Sequence, residues 1–217
     1  MVTLQLRQIQ ISPGQRLDLQ DVSWSEFEAI LQELGEARNI RIAYSDGKLS
    51  IMSPLPEHEK AKVLIGDLVK ILLEELNRDC ESFGSTTFKR QDMAKGVEPD
   101  DSFYIQNYAR MIGKGRVDLT IDPPPDLAIE VDLTSKTQTE AYAALGVPEL
   151  WRYDNGRLQV EVLRQGQYVE MAESPTFLGW PIAAMVTDFV ARSGVVGRSQ
   201  AVREFRVWVR RFLAGAR

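Results

Sequence analysis

The chain has one cysteine, Cys80, and one histidine, His58. A lone cysteine excludes an internal disulfide framework and a cysteine zinc cluster. A lone histidine excludes a multi-histidine metal centre. Any metal here is therefore held mainly by oxygen, which favours Mg2+, Mn2+ or Ca2+. No apolar run reaches 18 residues, so no membrane-spanning helix is expected. The stretch Met1 to Arg7 does not have the form of a signal peptide, and a cytoplasmic protein is the expectation. Internal repeats and low-complexity tracts are also missing.

What is present is ordinary for a globular protein. Of 217 residues, 44% are hydrophobic and 26% charged, enough for one domain with a good core. Residues 1–20 are mixed and read as an arm or an edge strand. Residues 21–217 read as a single domain. The net charge of −5 argues mildly against non-specific nucleic-acid binding. Its distribution is uneven. From Arg192 onward seven arginines face only Glu204, making that segment +6 and leaving −11 on the rest. Such a tail can touch phosphates, or it can be one solvated helix face.

The pattern alternates helices and strands. Ser23 or Ser25 caps a helix carrying Phe27, Ile30, Leu31 and Leu34, with Gly35 as the stop. Ile40–Tyr44 and Lys48–Met52 flank Ser45-Asp46-Gly47 as a hairpin. A helix over 58–78 carries Val63, Leu64, Leu68, Ile71, Leu72 and Leu76 as its apolar stripe. Strands are expected over 80–88, 102–105 and 126–131. The Gly- and Pro-interrupted 106–125 between them is a long connection, of a length that is often functional or a partner surface. A helix covers 136–145. Strands at 149–153, 158–163 and 168–171 and helices at 181–191 and 199–213 complete the chain. The fold class is α/β (α+β), with a mixed central sheet flanked by helices.

The chemistry concentrates in two acid groups. One is Glu98-Pro99-Asp100-Asp101. The other is Asp126 followed by Glu130-Val131-Asp132, at the end of an apolar strand. Residues two apart on a strand share a face, so Glu130 and Asp132 repel each other unless a cation lies between them. Asp100 and Glu130 each stand at the boundary of a short apolar strand. Acids converging from neighbouring strands form an oxygen site for Mg2+, which activates water and stabilises charge on a phosphate. The plainer alternative makes Asp100 and Asp101 turn acids after Pro99, and Asp132 the cap of the next helix. Lys136, six residues past Glu130, either assists the attacking water or is a solvated first-turn lysine. Lys89 and Arg90 are phosphate contacts or an exposed basic pair. Glu57 and Glu59 suit the start of a helix by its dipole alone, or serve as outer ligands, with His58 a substrate contact or a structural residue.

A family resemblance joins these pieces. Gly47-Lys48-Leu49 through Met52-Ser53-Pro54 to His58, Pro99-Asp100 with Phe103, Pro125 to Ser135, and Tyr142 followed by Gly146 to Asp154 look like the Uma2 family, once called a domain of unknown function. The segment Gly96 to Asn107 and the ending Phe205 to Arg210 resemble its cyanobacterial branch. The likeness spans residues 20–212. It implies a restriction-endonuclease-like fold of the PD-(D/E)xK nuclease superfamily. Asp100 then matches the aspartate of the PD element and Glu130 the acid of the (D/E)xK element. Asp132 occupies the lysine position. Relatives move the basic residue onto the next helix, where Lys136 stands; the position four before Tyr142, basic in many relatives, is Gln138. Glu57 or Glu59 falls near a helix acid used by the superfamily.

The resulting expectation is a Mg2+- or Mn2+-dependent endonuclease acting on DNA. Asp100, Glu130, Asp132 and Lys136 are its catalytic residues, the three acids as metal ligands and Lys136 assisting the water or the transition state. Glu57, His58, Glu59 and Lys89 are outer or substrate contacts. The alternative is a non-catalytic nucleic-acid-binding or protein-interaction module on the same fold, favoured by the missing strand lysine and the acidic charge. A homodimer is expected in either case.

Overall fold

The computed structural model describes residues 8–35, 40–131 and 136–215. Its helix α1 (Trp24–Leu34) starts at a capping box. The Ser23 hydroxyl accepts from the Glu26 amide at 3.3 Å, and Glu26 Oε2 accepts from the Ser23 amide at 2.8 Å. Two of the orphan amides of the first turn are satisfied this way. Gly35 ends the helix, with φ 69°.

Strand β1 (Arg16–Leu19) is an edge strand, one of the two forms expected for the N-terminal segment. The hairpin β2 (Arg41–Ser45) and β3 (Lys48–Met52) turns at Asp46-Gly47, both with positive φ, as a tight antiparallel turn requires. Helix α2 (Pro56–Glu75) is followed by β4 (Glu81–Ser82), β5 (Phe88–Arg90), β6 (Lys95–Val97) and β7 (Asp101–Tyr104). After the short α3 (Tyr108–Met111) come β8 (Leu127–Val131), α4 (Lys136–Leu145), β9 (Glu149–Asp154), β10 (Arg157–Arg164) and β11 (Gln167–Met171). Helices α5 (Ile182–Val196) and α6 (Arg198–Gly215) follow.

These strands form two sheets, not one. An antiparallel five-stranded sheet runs β1-β3-β2-β6-β5. A six-stranded mixed sheet runs β11-β10-β9-β8-β7-β4, with β8 and β9 its one parallel pair among the described residues. The crossover between that pair is α4, a βαβ unit. Helices α2, α5 and α6 share one cluster with Phe103, Ile129 and Trp151 of the mixed sheet. Helix α4 lies between the sheets. Its Ala141, Tyr142 and Leu145 pack with Ala43, Phe88 and Val97 of the first and Tyr104, Ala128 and Leu150 of the second. On β8 the alternation is explicit. Leu127, Ile129 and Val131 face α2, and Ala128 faces α4.

Three expectations are corrected. The span 80–88 is not one strand: β4 belongs to the mixed sheet and β5 to the other, so the chain changes sheets between them. Helix α2 ends at Glu75, because Asn77 turns left-handed (φ 52°) and the Arg78 amide bonds back to Leu73 O. Val63 is 46% exposed and lies outside the apolar stripe, whose buried members are Leu64, Leu68, Ile71 and Leu72.

Gly96 reads as punctuation in the sequence, yet it is the centre of β6. A Cβ there would stand 2.7 Å from Phe27 Cζ. Phe27 is fully buried and stacks on Tyr44 at 4.7 Å, so it has no room to give. Gly96→Ala is expected to destabilise the protein by about 1–3 kcal/mol through overpacking. Urea unfolding measures this; a neutral or stabilising result would mean that α1 shifts freely on the sheet.

Candidate active site

Strands β7 and β8 run antiparallel with Asp101 opposite Ile129. Asp100, one residue before β7, donates its amide to Ile129 O at 3.1 Å. Its Oδ2 accepts from the Val131 amide at 2.8 Å. That anchoring brings the Asp100 carboxyl within hydrogen-bonding reach of Glu130. Strand alternation puts Glu130 on the α4 side, where the Tyr142 hydroxyl donates to its Oε1. Asp100 is 3% and Glu130 1% exposed.

Arg41 closes the pair from the other sheet. Its Nε donates to Asp100 Oδ1 at 3.3 Å and its Nη2 to Glu59 Oε1 at 3.3 Å. Lys62 Nζ donates to Glu59 Oε2 at 3.0 Å. The site thus lies where β2, β7, β8, the first turn of α2 and Tyr142 of α4 converge. Just before it, Glu98 is buried and accepts from the Ile42 amide at 3.2 Å and the Thr87 hydroxyl at 2.5 Å. Those bonds tie β2 to the strand entrance and hold Arg41 and Asp100 in register.

Burial pushes the Glu130 carboxyl well above the usual carboxylate range, and the neighbouring Asp100 charge pushes it further. Burial also raises Asp100, against the opposing effects of the Val131 amide and Arg41. Tyr142 is raised by burial and by Glu130, so its hydroxyl remains a donor. Two touching buried carboxyls cannot both ionise cheaply. They need a shared proton or added positive charge. Asp101 points the other way, to α2, where a Cβ at Gly66 would lie 2.4 Å from its Oδ2. Gly66 is the notch that admits this further buried acid.

Of the residues singled out in the sequence, Asp100 and Glu130 meet directly, and Glu59 joins them through Arg41. Glu57 is exposed and His58 half-buried on the same turn of α2. Lys89 lies on β5 and pairs with Glu28 of α1 at 2.7 Å, away from the acids. Asp126 accepts the amides of Ile105, Gln106 and Asn107 and anchors the following loop. Asp132 lies outside the described residues, as does the side chain of Lys136, whose backbone opens α4. Gln138 is buried. Among the described residues, no three His, Cys, Asp or Glu side chains form a metal-ligand group. Sequence reasoning named Glu98 among the acids but gave no site role to Arg41, Lys62 or Tyr142. The available cue was faint: Arg41 stands between Ile40 and Ile42 at the start of a mostly apolar strand.

The profile of the Uma2 family, described as "Putative restriction endonuclease", matches residues 24–183. The chain belongs to the Uma2 family. The restriction-endonuclease-like α/β class expected from the sequence agrees with that description and with the mixed sheet. The Uma2 chain is also similar to a solved structure from Anabaena variabilis, described as a "putative nuclease belonging to DUF820". The two share 18% identity over 75% of this chain and 92% of that one, with a TM-score of 0.48. No curated protein matches. Among the described residues of this Uma2 chain, no helix is long and apolar enough to cross a membrane.

Proposed function

We propose that this Uma2 protein is an endonuclease that hydrolyses DNA phosphodiester bonds with Mg2+ or Mn2+. The observation that carries the reading is the meeting of two buried carboxyls, Asp100 and Glu130, from adjacent strands. The donor set fits such an ion. Mg2+ takes oxygen ligands, keeps several waters, and is often held by one or two carboxylates together with substrate phosphates. Asp100 and Glu130 would hold it, with Asp132 as a third ligand. When bound, the ion supplies an activated water and charge stabilisation at the phosphate.

The chain's own groups do the rest. The Val131 amide fixes Asp100, and the Tyr142 hydroxyl fixes Glu130. Lys136, at the start of α4, assists the water or the developing charge. The position of the acid pair at a strand end, with Arg41 reaching it from the second sheet, supports the reading. The partner is DNA, the assembly a homodimer, and the location the cytoplasm.

Calorimetry with Mn2+, cleavage of plasmid DNA, and a crystal soaked in Mn2+ test the reading together. Density between Asp100 and Glu130, with metal-dependent cleavage, is the expected outcome. A folded sample that binds neither ion and cuts no DNA would sink it. One observation favours a second reading, a non-catalytic binding module. Arg41 already pairs with Asp100, so the acid pair has a cation of its own. Thermal stability indifferent to Mn2+ would support that module.

A further inference from the structure

Arg41 is an unusual arginine. Its side chain is 8% exposed, and β2, which carries it, is buried along its whole length. A guanidinium in such a place is costly unless its donors are well matched. Its bonds are nonetheless long. Nε to Asp100 and Nη2 to Glu59 are both 3.3 Å, and Nη1 to Ile40 O is 3.4 Å. Charge-assisted bonds usually run about 2.7–2.9 Å, and arginine grips a carboxylate best with two parallel bonds. Arg210 of α6 does so with Glu75, at 2.9 Å for each bond. Arg41 instead spans two carboxylates and grips neither.

The oxygen it touches matters. Asp100 Oδ2 already accepts the Val131 amide at 2.8 Å, so Oδ1 is the oxygen more open to a cation. Arg41 Nε occupies that oxygen. Glu59, its other acceptor, has a side chain 41% exposed, already bonded to Lys62 at the accessible end of α2. That end can rearrange at little cost, whereas Asp100 cannot.

We propose that Arg41 is the resident counter-ion of the acid pair, which a divalent cation must displace from Asp100 Oδ1, leaving the guanidinium on Glu59. This inference rests on the divalent-cation reading of the site. Arg41 is a positioning residue: it sets the cation affinity through Asp100. Like charge beside a bound cation weakens it, so a full site and an Arg41–Asp100 pair exclude each other.

The test is Mn2+ affinity by calorimetry on the full chain, with Arg41→Met, Arg41→Lys and Lys62→Met. Arg41→Met is expected to bind Mn2+ about 10–100-fold more tightly, the scale of changes around metal ligands. Arg41→Lys, which keeps the charge, stays near the unsubstituted protein. Lys62→Met, whose charge lies one residue further out, changes affinity much less than Arg41→Met. Equal gains from Arg41→Met and Lys62→Met would show general field effects and overturn direct competition. A second measurement needs no core substitution. In 15N-arginine NMR, saturating Mg2+ moves the Arg41 Nε–H resonance, and Glu130→Gln abolishes the movement. An unmoved resonance with Mg2+ bound, or unchanged affinity in Arg41→Met, overturns the proposal and leaves the metal site standing. If neither the unsubstituted protein nor Arg41→Met binds Mn2+, the metal site and the proposal fall together.

Discussion

Glu130→Gln is expected to lose Mn2+ binding and more than about 100-fold in DNA cleavage, yet to unfold at a higher temperature than the unsubstituted chain in chelator at neutral pH. The loss exceeds the 10–100-fold typical of outer partners because Glu130 would touch the ion itself. The gain comes from the same burial. Glu130 is 1% exposed, touches Asp100, and is held well above the usual carboxylate range by burial first and the Asp100 charge second. The groups facing it from other elements are Tyr142 on α4 and, through Asp100, Arg41 on β2.

The pH dependence follows from that direction. The folded state keeps a proton on Glu130 at pH values where the unfolded chain has already lost it. Stability therefore falls as pH rises above the unfolded value, and the full penalty is present above the folded value. At neutral pH an amide relieves it while keeping an acceptor for the Tyr142 hydroxyl. A gain of about 1 kcal/mol corresponds to about 2–4 °C for a chain of this size. Mn2+ offsets the penalty in the unsubstituted protein by binding only the folded state, by about 2.7 kcal/mol at a hundredfold excess over Kd. Calorimetric scans across pH, with and without Mn2+, read both effects. A variant that is less stable than its parent in chelator at neutral pH, or that cleaves normally, contradicts the account.

Glu149→Ala has the largest expected effect on stability, a loss of about 3–5 kcal/mol. Glu149 opens β9 and is 2% exposed. Its carboxylate accepts from Trp151 Nε1 at 2.6 Å, the Ser174 hydroxyl at 2.6 Å, the Thr176 hydroxyl at 2.6 Å and the Thr176 amide at 3.0 Å. These donors fasten the loop that seats Phe177 against Trp151, 5.7 Å between ring centres. Truncation leaves four buried donors without an acceptor, each costing about 1–3 kcal/mol before relaxation. The unfolding midpoint should drop by about 6–20 °C. Glu149→Gln keeps one acceptor oxygen and should lose less. Mn2+ affinity should stay within a few-fold, because the clasp bonds to none of Asp100, Glu130 or Arg41. A drop below about 1 kcal/mol for the alanine variant would mean that the loop finds other acceptors.

Much of the fold was legible because local physics decides it. Ser23 and Gly35 bracket α1, and Asp46-Gly47 makes the hairpin, by backbone geometry alone. The 136–145 helix and the three strands after it follow from periodicity. The separation of 80–88 into two sheets was not legible, since two- and three-residue strands carry no period. The same holds for β6: Gly96 lacks a side chain because Phe27, 69 positions earlier, fills that space. The site was half legible. Asp100 and Glu130 advertise themselves as acids beside apolar strands. Their neighbours Arg41, Glu59 and Tyr142 come from three other elements.

By itself the sequence determined the family, the α/β class and the two acids. A carboxylate at the end of an apolar strand must find a partner, whatever surrounds it. Tertiary structure alone decided what that partner is. Strand register sets Asp100 against Glu130, and the packing of α4 between the sheets brings Tyr142 to Glu130. The approach of β2 from the second sheet delivers Arg41. These contacts join residues 12 to 59 positions apart, and no local pattern encodes such separations.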